Sequence, residues 1–230
     1  MDNLNPSKLG TKQHWDDVYE TELTNFRDNG DEGEIWFGVQ AVDKMVKWAL
    51  DNAPPSPKTL EVGSGNGTLL FALAEAGYDP HSLFGIDYSP GAVQLARAIA
   101  TESNYQDITF SECDFLSQDP PQTEWDLILD KGTFDAIALA EKDADGGSPV
   151  AKYPPRVARL LKPGAMFLIT SCNFTEDELK TAFQAAGLVY HSRIQHRTIT
   201  FGGKSGSQCS SVAFSKSFSD ASLDKSSHVS

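Results

Sequence analysis

Cysteine is scarce in this sequence, which contains only three among 230 residues. An odd number of widely spaced cysteines gives neither a disulfide framework nor a zinc pattern, and it suits a reducing cytosol. The three are Cys113, Cys172 and Cys209. The histidines at 14, 81, 191 and 196 also lack metal-ligand spacing. We therefore expect no metal site.

Long apolar runs are missing as well. No run approaches the roughly 20 apolar residues that a membrane-spanning helix requires. The first ten residues, MDNLNPSKLG, have no apolar core of a signal peptide. We expect neither a membrane partner nor secretion.

Basic residues are few relative to acidic ones: 19 Lys and Arg face 32 Asp and Glu, giving a formal charge of -13. This balance disfavours nucleic acid as a partner, because phosphate binding relies on a basic surface. It would help to attract a basic partner, although the same charge also serves solubility alone. The length and the 40% hydrophobic content predict one soluble, well-buried domain.

Glycine, by contrast, is concentrated in residues 59–70, TLEVGSGNGTLL, which predict a strand, a tight turn and the start of a helix. Gly63, Gly65 and Gly67 allow the backbone to turn sharply and to approach a ligand closely. The helix that follows offers free N–H groups. The turn, including Asn66, therefore predicts a cradle for a nucleotide-like ligand.

The spacing of this turn separates the possible ligands. A dinucleotide fingerprint requires a third glycine at position 68, where Thr68 stands. Glu61, two residues before the first glycine, would repel a pyrophosphate. A carboxylate at that position suits a ligand with a cationic or hydroxyl-bearing end. An ordinary glycine-rich turn is the alternative.

Strand and helix patterns alternate after this motif, which predicts an α/β fold: a doubly wound, mostly parallel seven-stranded sheet that closes with a C-terminal antiparallel hairpin. The predicted strands are residues 59–62, 83–87, 108–113, 125–130 and 165–170, with two more within 188–214 around a turn at 202–210. The predicted helices are residues 68–76, one capped by Ser89, 156–161, and one running from a Thr175–Glu178 capping box to Gly187.

The domain organisation follows from the same patterns. Apolar residues from Val42 to Leu50 recur at helical spacing. We expect residues 1–53 to form a cover segment and a helix packed on the domain, with 11–19 laid over it. Residues 54–218 form the domain itself, and 219–230 a disordered tail.

Four acidic residues stand at the ends of successive predicted strands, at the sheet edge where α/β folds bind ligands. Asp87, beside Tyr88, can accept two hydrogen bonds from ribose hydroxyls. Asp114 can take an adenine amino group, and Phe115 can cover the base. Glu61 and Asp130 are the other two acidic residues of this set. Helix capping by Asp87, and helix N-terminal charges at Asp130 and Asp135, are the alternatives.

The joint pattern resembles the S-adenosylmethionine-dependent methyltransferases with a seven-stranded sheet. Across about residues 8–216 it narrows to the eukaryotic elongation factor 1-alpha lysine methyltransferases. The segments that carry the narrower resemblance are residues 10–19, 33–38 (GEIWFG), 85–89 (GIDYS), 128–137, 169–173 (ITSCN) and 201–203.

This resemblance implies transfer of a methyl group from S-adenosylmethionine to a lysine of translation elongation factor 1-alpha in the cytoplasm, by a monomer. It implies a catalytic role for Asp130, which orients the amine beside the donor, and a place for Trp36 against the donor. Phe37 and Asn173 are assigned to the substrate. Packing of Trp36 and Phe37 in the core is the alternative.

Particular residues argue against some other interpretations of the sequence, and two alternatives stay open. Residues 201–205, FGGKS, are not a phosphate-binding loop, because Thr198 stands where glycine is required. A nucleic-acid amino-methyltransferase more typically has Asp-Pro-Pro-Tyr where this chain has Asp130-Lys131-Gly132-Thr133. Methylation of a small molecule and a non-catalytic binding module on the same fold remain as alternatives.

Overall fold

The computed structural model describes residues 4–196, 198–201, 204–207 and 209–218. The predicted disordered tail at 219–230 lies outside the described residues, as do residues 202, 203 and 208 of the predicted turn.

A seven-stranded sheet forms the centre of the described chain, in the order β3-β2-β1-β4-β5-β9-β6. Strands β1 to β5 run parallel to one another, and β9 runs antiparallel to both β5 and β6. The predicted fold is therefore confirmed. The strands are β1 (Thr59–Val62), β2 (Leu83–Asp87), β3 (Thr109–Glu112), β4 (Trp125–Lys131), β5 (Leu161–Ser171), β6 (Leu188–Ile194), β7 (Thr198–Phe201), β8 (Lys204–Ser207) and β9 (Ser210–Lys216).

Two strand predictions are wrong in detail. The segment 188–214 holds four strands rather than two, since β7 and β8 form a separate hairpin; the TITF sequence of β7 is rich in β-branched residues, which favour strands. Strand β5 begins at Leu161, so residues 162–164, predicted as a loop, belong to it. There Gly164 has a φ of 79°.

Seven helices in the described residues pack on the two faces of the sheet. They are α1 (Lys12–Asn29), α2 (Val39–Asn52), α3 (Thr68–Glu75), α4 (Pro90–Glu102), α5 (Thr133–Ala138), α6 (Tyr153–Leu160) and α7 (Glu176–Ala185). The capping box predicted at Thr175 and Glu178 is present. Ser89 occupies the N-cap position of α4, but within the described chain its side chain makes no capping hydrogen bond.

The N-terminal segment contains a helix that the sequence patterns did not predict. Residues 12–19, predicted only as a segment laid over the domain, begin the 18-residue helix α1, which Gly30 caps in a left-handed conformation. The buried side chains Trp15, Tyr19, Leu23 and Phe26 form a narrow apolar stripe. The charged residues between them conceal this stripe in the sequence.

The sheet separates two apolar clusters. One cluster contains buried residues of helices α1, α2, α3 and α4 together with Leu127 and Leu129 of β4. The other contains buried residues of α5, α6 and α7 together with Ile128. Alternate residues of one strand thus serve opposite faces, as the pleat requires. Because Trp15 and Met45 belong to the first cluster, the N-terminal helices share the core of the sheet. Among the described residues, none of the helices combines the length and apolar character needed to cross a membrane.

Candidate active site

A cavity of about 490 Å³ lies at the carboxyl edge of the parallel strands. Each of the five parallel strands contributes a lining residue that ends the strand or directly follows it; they include Val62, Asp87, Cys113, Lys131 and Cys172. Residues of α1 and of the loop at 34–37 line it as well. The cavity therefore lies where open α/β sheets bind their ligands.

The glycine turn forms part of the cavity wall. Gly63, Gly65 and Gly67 have φ values of 65°, 54° and 85°, which side chains rarely adopt. A Cβ on Gly63 would meet Thr133 Oγ1 at 2.0 Å, and one on Gly65 would meet Tyr19 Oη at 2.5 Å. Gly63 and Gly65 line the cavity, while Gly67 is the N-cap residue of α3 behind it.

Asn66 fastens the turn to the N-terminal segment. Its Nδ2 donates a hydrogen bond of 2.9 Å to the carbonyl of Glu32, and its Oδ1 accepts one of 2.8 Å from Thr68 Oγ1. Asn66 also lines the cavity. One side chain thus joins the turn, the start of α3 and the loop after α1.

Asp87 lies in the cavity wall at the end of β2, with 5% of its surface exposed. Its two carboxylate oxygens accept hydrogen bonds from Gly65 N at 3.0 Å and Ser89 N at 2.9 Å. Burial raises the pKa of Asp87 to about 6, while these two N–H donors act to lower it. The carboxylate is held rigidly, and each oxygen retains a lone pair for a ligand.

Tyr88, Asp114 and Phe115 extend this end of the cavity. The Asp114 carboxylate accepts hydrogen bonds from Leu116 N at 3.0 Å and Ser117 Oγ at 2.6 Å. Phe115 is 5% exposed, and its ring packs 4.8 Å from that of Tyr153. The structure thus brings Asp87, Tyr88, Asp114 and Phe115 to one end of the cavity, next to the glycine turn.

Glu61 lies behind the turn and is not among the described residues that line the cavity. It is 1% exposed, and its Oε2 has no hydrogen-bond partner among the described residues. Burial raises the pKa of Glu61 to about 8, against the opposing charge of Lys131. Burial in turn lowers the pKa of Lys131. Lys131 itself lines the cavity, and its Nζ donates to the carbonyl of Trp36 at 3.3 Å.

Asp130, the predicted catalytic residue, is not brought to the cavity surface: it is fully buried and absent from the described lining. Its carboxylate accepts hydrogen bonds from Thr133 N at 2.9 Å, Phe134 N at 3.0 Å and Tyr153 Oη at 2.5 Å. Burial raises its pKa to about 7. The geometry is that of the alternative reading, a carboxylate that caps α5.

Asp135 is the carboxylate of α5 that does line the cavity, although only 5% of it is exposed. It accepts hydrogen bonds from Ser171 Oγ at 2.5 Å and Cys172 N at 2.7 Å. Burial raises its pKa, and these hydrogen bonds oppose that rise. Asn173, predicted at the substrate lip, lines the cavity directly beyond this pair.

Aromatic residues close the opposite wall. Trp36 and Phe37 both line the cavity and are both partly buried. The Trp36 ring packs 4.8 Å from Trp15. Phe37 has a φ of 66°, and its ring lies against the backbone of Gly132. The two predicted roles, cavity wall and core packing, are thus combined.

Three lining residues of α1 were not anticipated: Lys12, Trp15 and Tyr19. Tyr19 is 8% exposed, and its hydroxyl makes no hydrogen bond within the described residues. Burial raises its pKa far above the usual value. The four-residue spacing of Trp15 and Tyr19 was the available signal, since it places both rings on one helix face.

Comparisons with known proteins agree with this geometry. A family model described as a methyltransferase domain matches residues 55–218. The chain is 42% identical to protein-lysine N-methyltransferase efm4 of Schizosaccharomyces pombe, covering 93% of this chain and 96% of that protein. It is 38% identical to human EEF1A lysine methyltransferase 2, with 94% and 89% covered.

A solved structure shares the fold at lower identity. Magnesium protoporphyrin IX methyltransferase from Synechocystis, with bound SAM, matches with a TM-score of 0.58 at 16% identity, covering 87% of this chain and 97% of that one. The fold and the predicted family are thus confirmed. The chain belongs to the methyltransferase family and, within it, to the protein-lysine methyltransferases that the two relatives represent.

Proposed function

We propose that this chain is an S-adenosylmethionine-dependent protein-lysine N-methyltransferase that modifies translation elongation factor 1-alpha. The supporting observation is one cavity with two chemically distinct ends. The glycine turn and Asp87 line one end, and Asp135 and Asn173 line the other. The relatives named for methylation of lysine and of EEF1A match over more than nine-tenths of the chain.

The residues present fit the methyl donor. Side chains at Gly63 and Gly65 would crowd the turn, which suits close approach of a ligand to the backbone. Glu61 has an unpartnered buried oxygen, and burial raises the pKa values of Glu61, Asp87 and Asp130. Several buried carboxyl groups thus lie close together, and a cationic ligand beside them would stabilise their ionised forms. Membership of the family confirms S-adenosylmethionine as the predicted cofactor.

When bound, S-adenosylmethionine supplies an electrophilic methyl group attached to a positively charged sulfur. The residues of this chain supply binding and orientation. Asp87 is placed to accept hydrogen bonds from ribose hydroxyls, with Tyr88 beside it. Asp114 and Phe115 are placed to hold the base, and Trp36 to close the wall.

The protein must also make a lysine amine reactive. With a pKa of about 10.4, roughly one amine in a thousand is neutral near pH 7.4, so reaching this form costs about 4 kcal/mol. Enclosure between Phe37 and Asn173 disfavours the charged form by desolvation. Holding the amine in line can contribute about 7 to 11 kcal/mol more.

The proposal extends to partners and location. The charge of -13 suits a basic protein surface. We propose that the enzyme acts as a monomer in the cytoplasm on this protein substrate, without nucleic acid or membrane.

The test is incubation of the purified protein with tritium-labelled S-adenosylmethionine and recombinant elongation factor 1-alpha, followed by mass spectrometry of the labelled band. We expect label on one or more lysines of the factor. A parallel incubation with cell lysate distinguishes the alternatives, since tritium in small metabolites instead of protein indicates a small-molecule enzyme. Absence of donor-binding heat in calorimetry indicates a non-catalytic module.

A further inference from the structure

The cavity has two halves that the strand order separates. In the sheet, β2 and β3 lie on one side of β1, and β4 and β5 on the other. Asp87 and Asp114 follow β2 and β3, so they belong to the half assigned to the nucleoside. Asp135 follows β4 and is bonded to the residues that end β5. It therefore lies in the other half.

The hydrogen bonds around Asp135 stabilise its ionised carboxylate, against the effect of burial. Ser171 Oγ already accepts from Asn173 N at 3.2 Å and Phe174 N at 3.0 Å, so its own proton points to Asp135 Oδ1. Cys172 N is a donor by nature and points to Oδ2. Both oxygens of Asp135 thus act as acceptors, and each keeps one lone pair for a further donor.

This enclosed charge has no cationic partner in the part of the chain that the structure describes. Among the described residues Asp135 takes part in no ion pair. Glu34, another carboxylate of the lining outside the nucleoside half, is exposed and well solvated. An almost buried carboxylate interacts with a cation much more strongly than an exposed one does.

Resting on the proposed function, we propose that Asp135 is the carboxylate that pairs with the target-lysine ammonium of the protein substrate. The ammonium supplies the donors that the two remaining lone pairs lack. Ser171 and Cys172 act behind it as positioning residues, because they fix the carboxylate at the end of β5. Asp130 is not placed for this pairing, because it is fully buried outside the described cavity lining and three donors of the chain already bind it.

The test is a double-mutant cycle between Asp135 and the substrate amine. Mass spectrometry of the labelled elongation factor first identifies the modified lysine, which is then replaced by methionine. Calorimetry measures the binding of both substrates, lysine and methionine, to the wild-type enzyme and to Asp135→Asn. We expect Asp135→Asn to weaken binding of the lysine substrate by about 30-fold or more, and of the methionine substrate by less than about threefold.

Two further measurements separate binding from structure. Ser171→Ala removes one hydrogen bond from Asp135 but keeps its charge, so we expect it to weaken binding of the lysine substrate less than Asp135→Asn does. The affinity for S-adenosylmethionine should stay within about threefold of wild type in Asp135→Asn, because the nucleoside half is unchanged.

The outcomes distinguish the two proposals. If Asp135→Asn weakens both substrates equally, the role of Asp135 is structural and the pairing is wrong, although the proposed function stands. If the wild-type enzyme transfers no methyl group to elongation factor 1-alpha, both proposals are overturned.

Discussion

Tyr153 Oη donates a hydrogen bond of 2.5 Å to Oδ2 of Asp130, and both residues are fully buried. The contact joins the start of α6 to the end of β4, 23 residues apart in sequence. Because Asp130 also binds two N–H groups of α5, this carboxylate connects one strand with two helices. Lys131 and Thr133, which lie close to Asp130 in sequence, line the cavity. Asp130 therefore supports the cavity wall from behind.

Removing the hydroxyl tests this support. We expect Tyr153→Phe to lower the free energy of unfolding by about 1 to 2 kcal/mol, because a buried carboxylate loses one of three donors. Urea denaturation measures the change. Tyr190→Phe is the control, because Tyr190 contributes its ring to a contact with Lys180 and is expected to change little. Equal effects of the two variants would contradict the importance of the buried bond.

The glycine turn predicts a steric effect that can be separated from backbone strain. Gly63→Ala is expected to lower stability by about 2 to 4 kcal/mol, because its Cβ would lie 2.0 Å from Thr133 Oγ1 at a φ of 65°. Gly77→Ala shares the positive φ, at 102°, but its Cβ meets no atom of the described chain within 4 Å. Its cost is expected to be about 1 to 2 kcal/mol. Thermal melting of both variants gives the difference, and an equal loss would exclude the steric term.

We expect Asp87 to contribute to the affinity for the methyl donor. We expect Asp87→Ala to weaken S-adenosylmethionine binding by about 10- to 100-fold, since a charge-assisted hydrogen bond contributes about 1.5 to 3 kcal/mol. Calorimetric titration measures this directly. Asp177→Ala, at an exposed position in the first turn of α7, is the matched control. Unchanged affinity in Asp87→Ala would place the ribose elsewhere.

The buried Glu61 predicts a pH dependence. Its folded-state pKa, about 8, lies above the ordinary value of 4.5, so the folded chain binds more protons than the unfolded chain between these pH values. The stability that Glu61 contributes therefore falls as the pH rises from 5 to 8, by about 1.4 kcal/mol for each pH unit at most.

The variant Glu61→Gln removes this titration. We expect the stability of the wild type relative to Glu61→Gln to fall between pH 5 and pH 8, measured by urea denaturation without ligand. Glu141→Gln, at an exposed position, should show no such trend relative to the wild type. A wild-type advantage that grows with pH would contradict the predicted sign.

The features that the sequence predicts correctly are local. The glycine turn, the capping box and the first strands each have their signal within a few neighbouring residues. Asp87 and Asp114 line the cavity because a residue at the end of a parallel strand necessarily lies at the carboxyl edge of the sheet.

The choice between Asp130 and Asp135 depends on geometry that spacing does not contain. Both residues follow the apolar part of β4, but Gly132, with a φ of 93°, turns the chain so that the N–H groups of α5 point back at Asp130. Asp135 then reaches the end of β5, 36 residues later in sequence. Helix α1 was missed although Trp15 and Tyr19 have helical spacing, because the charged residues between its buried side chains conceal the apolar stripe.

The cavity wall contributed by residues before position 55 has a consequence for the release of product. Two hydrogen bonds attach that wall to the rest of the domain: Asn66 donates to the carbonyl of Glu32, and Lys131 donates to the carbonyl of Trp36. Glu34, Trp36 and Phe37 line the cavity, so these two hydrogen bonds hold one of its walls in place against the glycine turn. We expect weakening of these hydrogen bonds to speed the release of a nucleoside product.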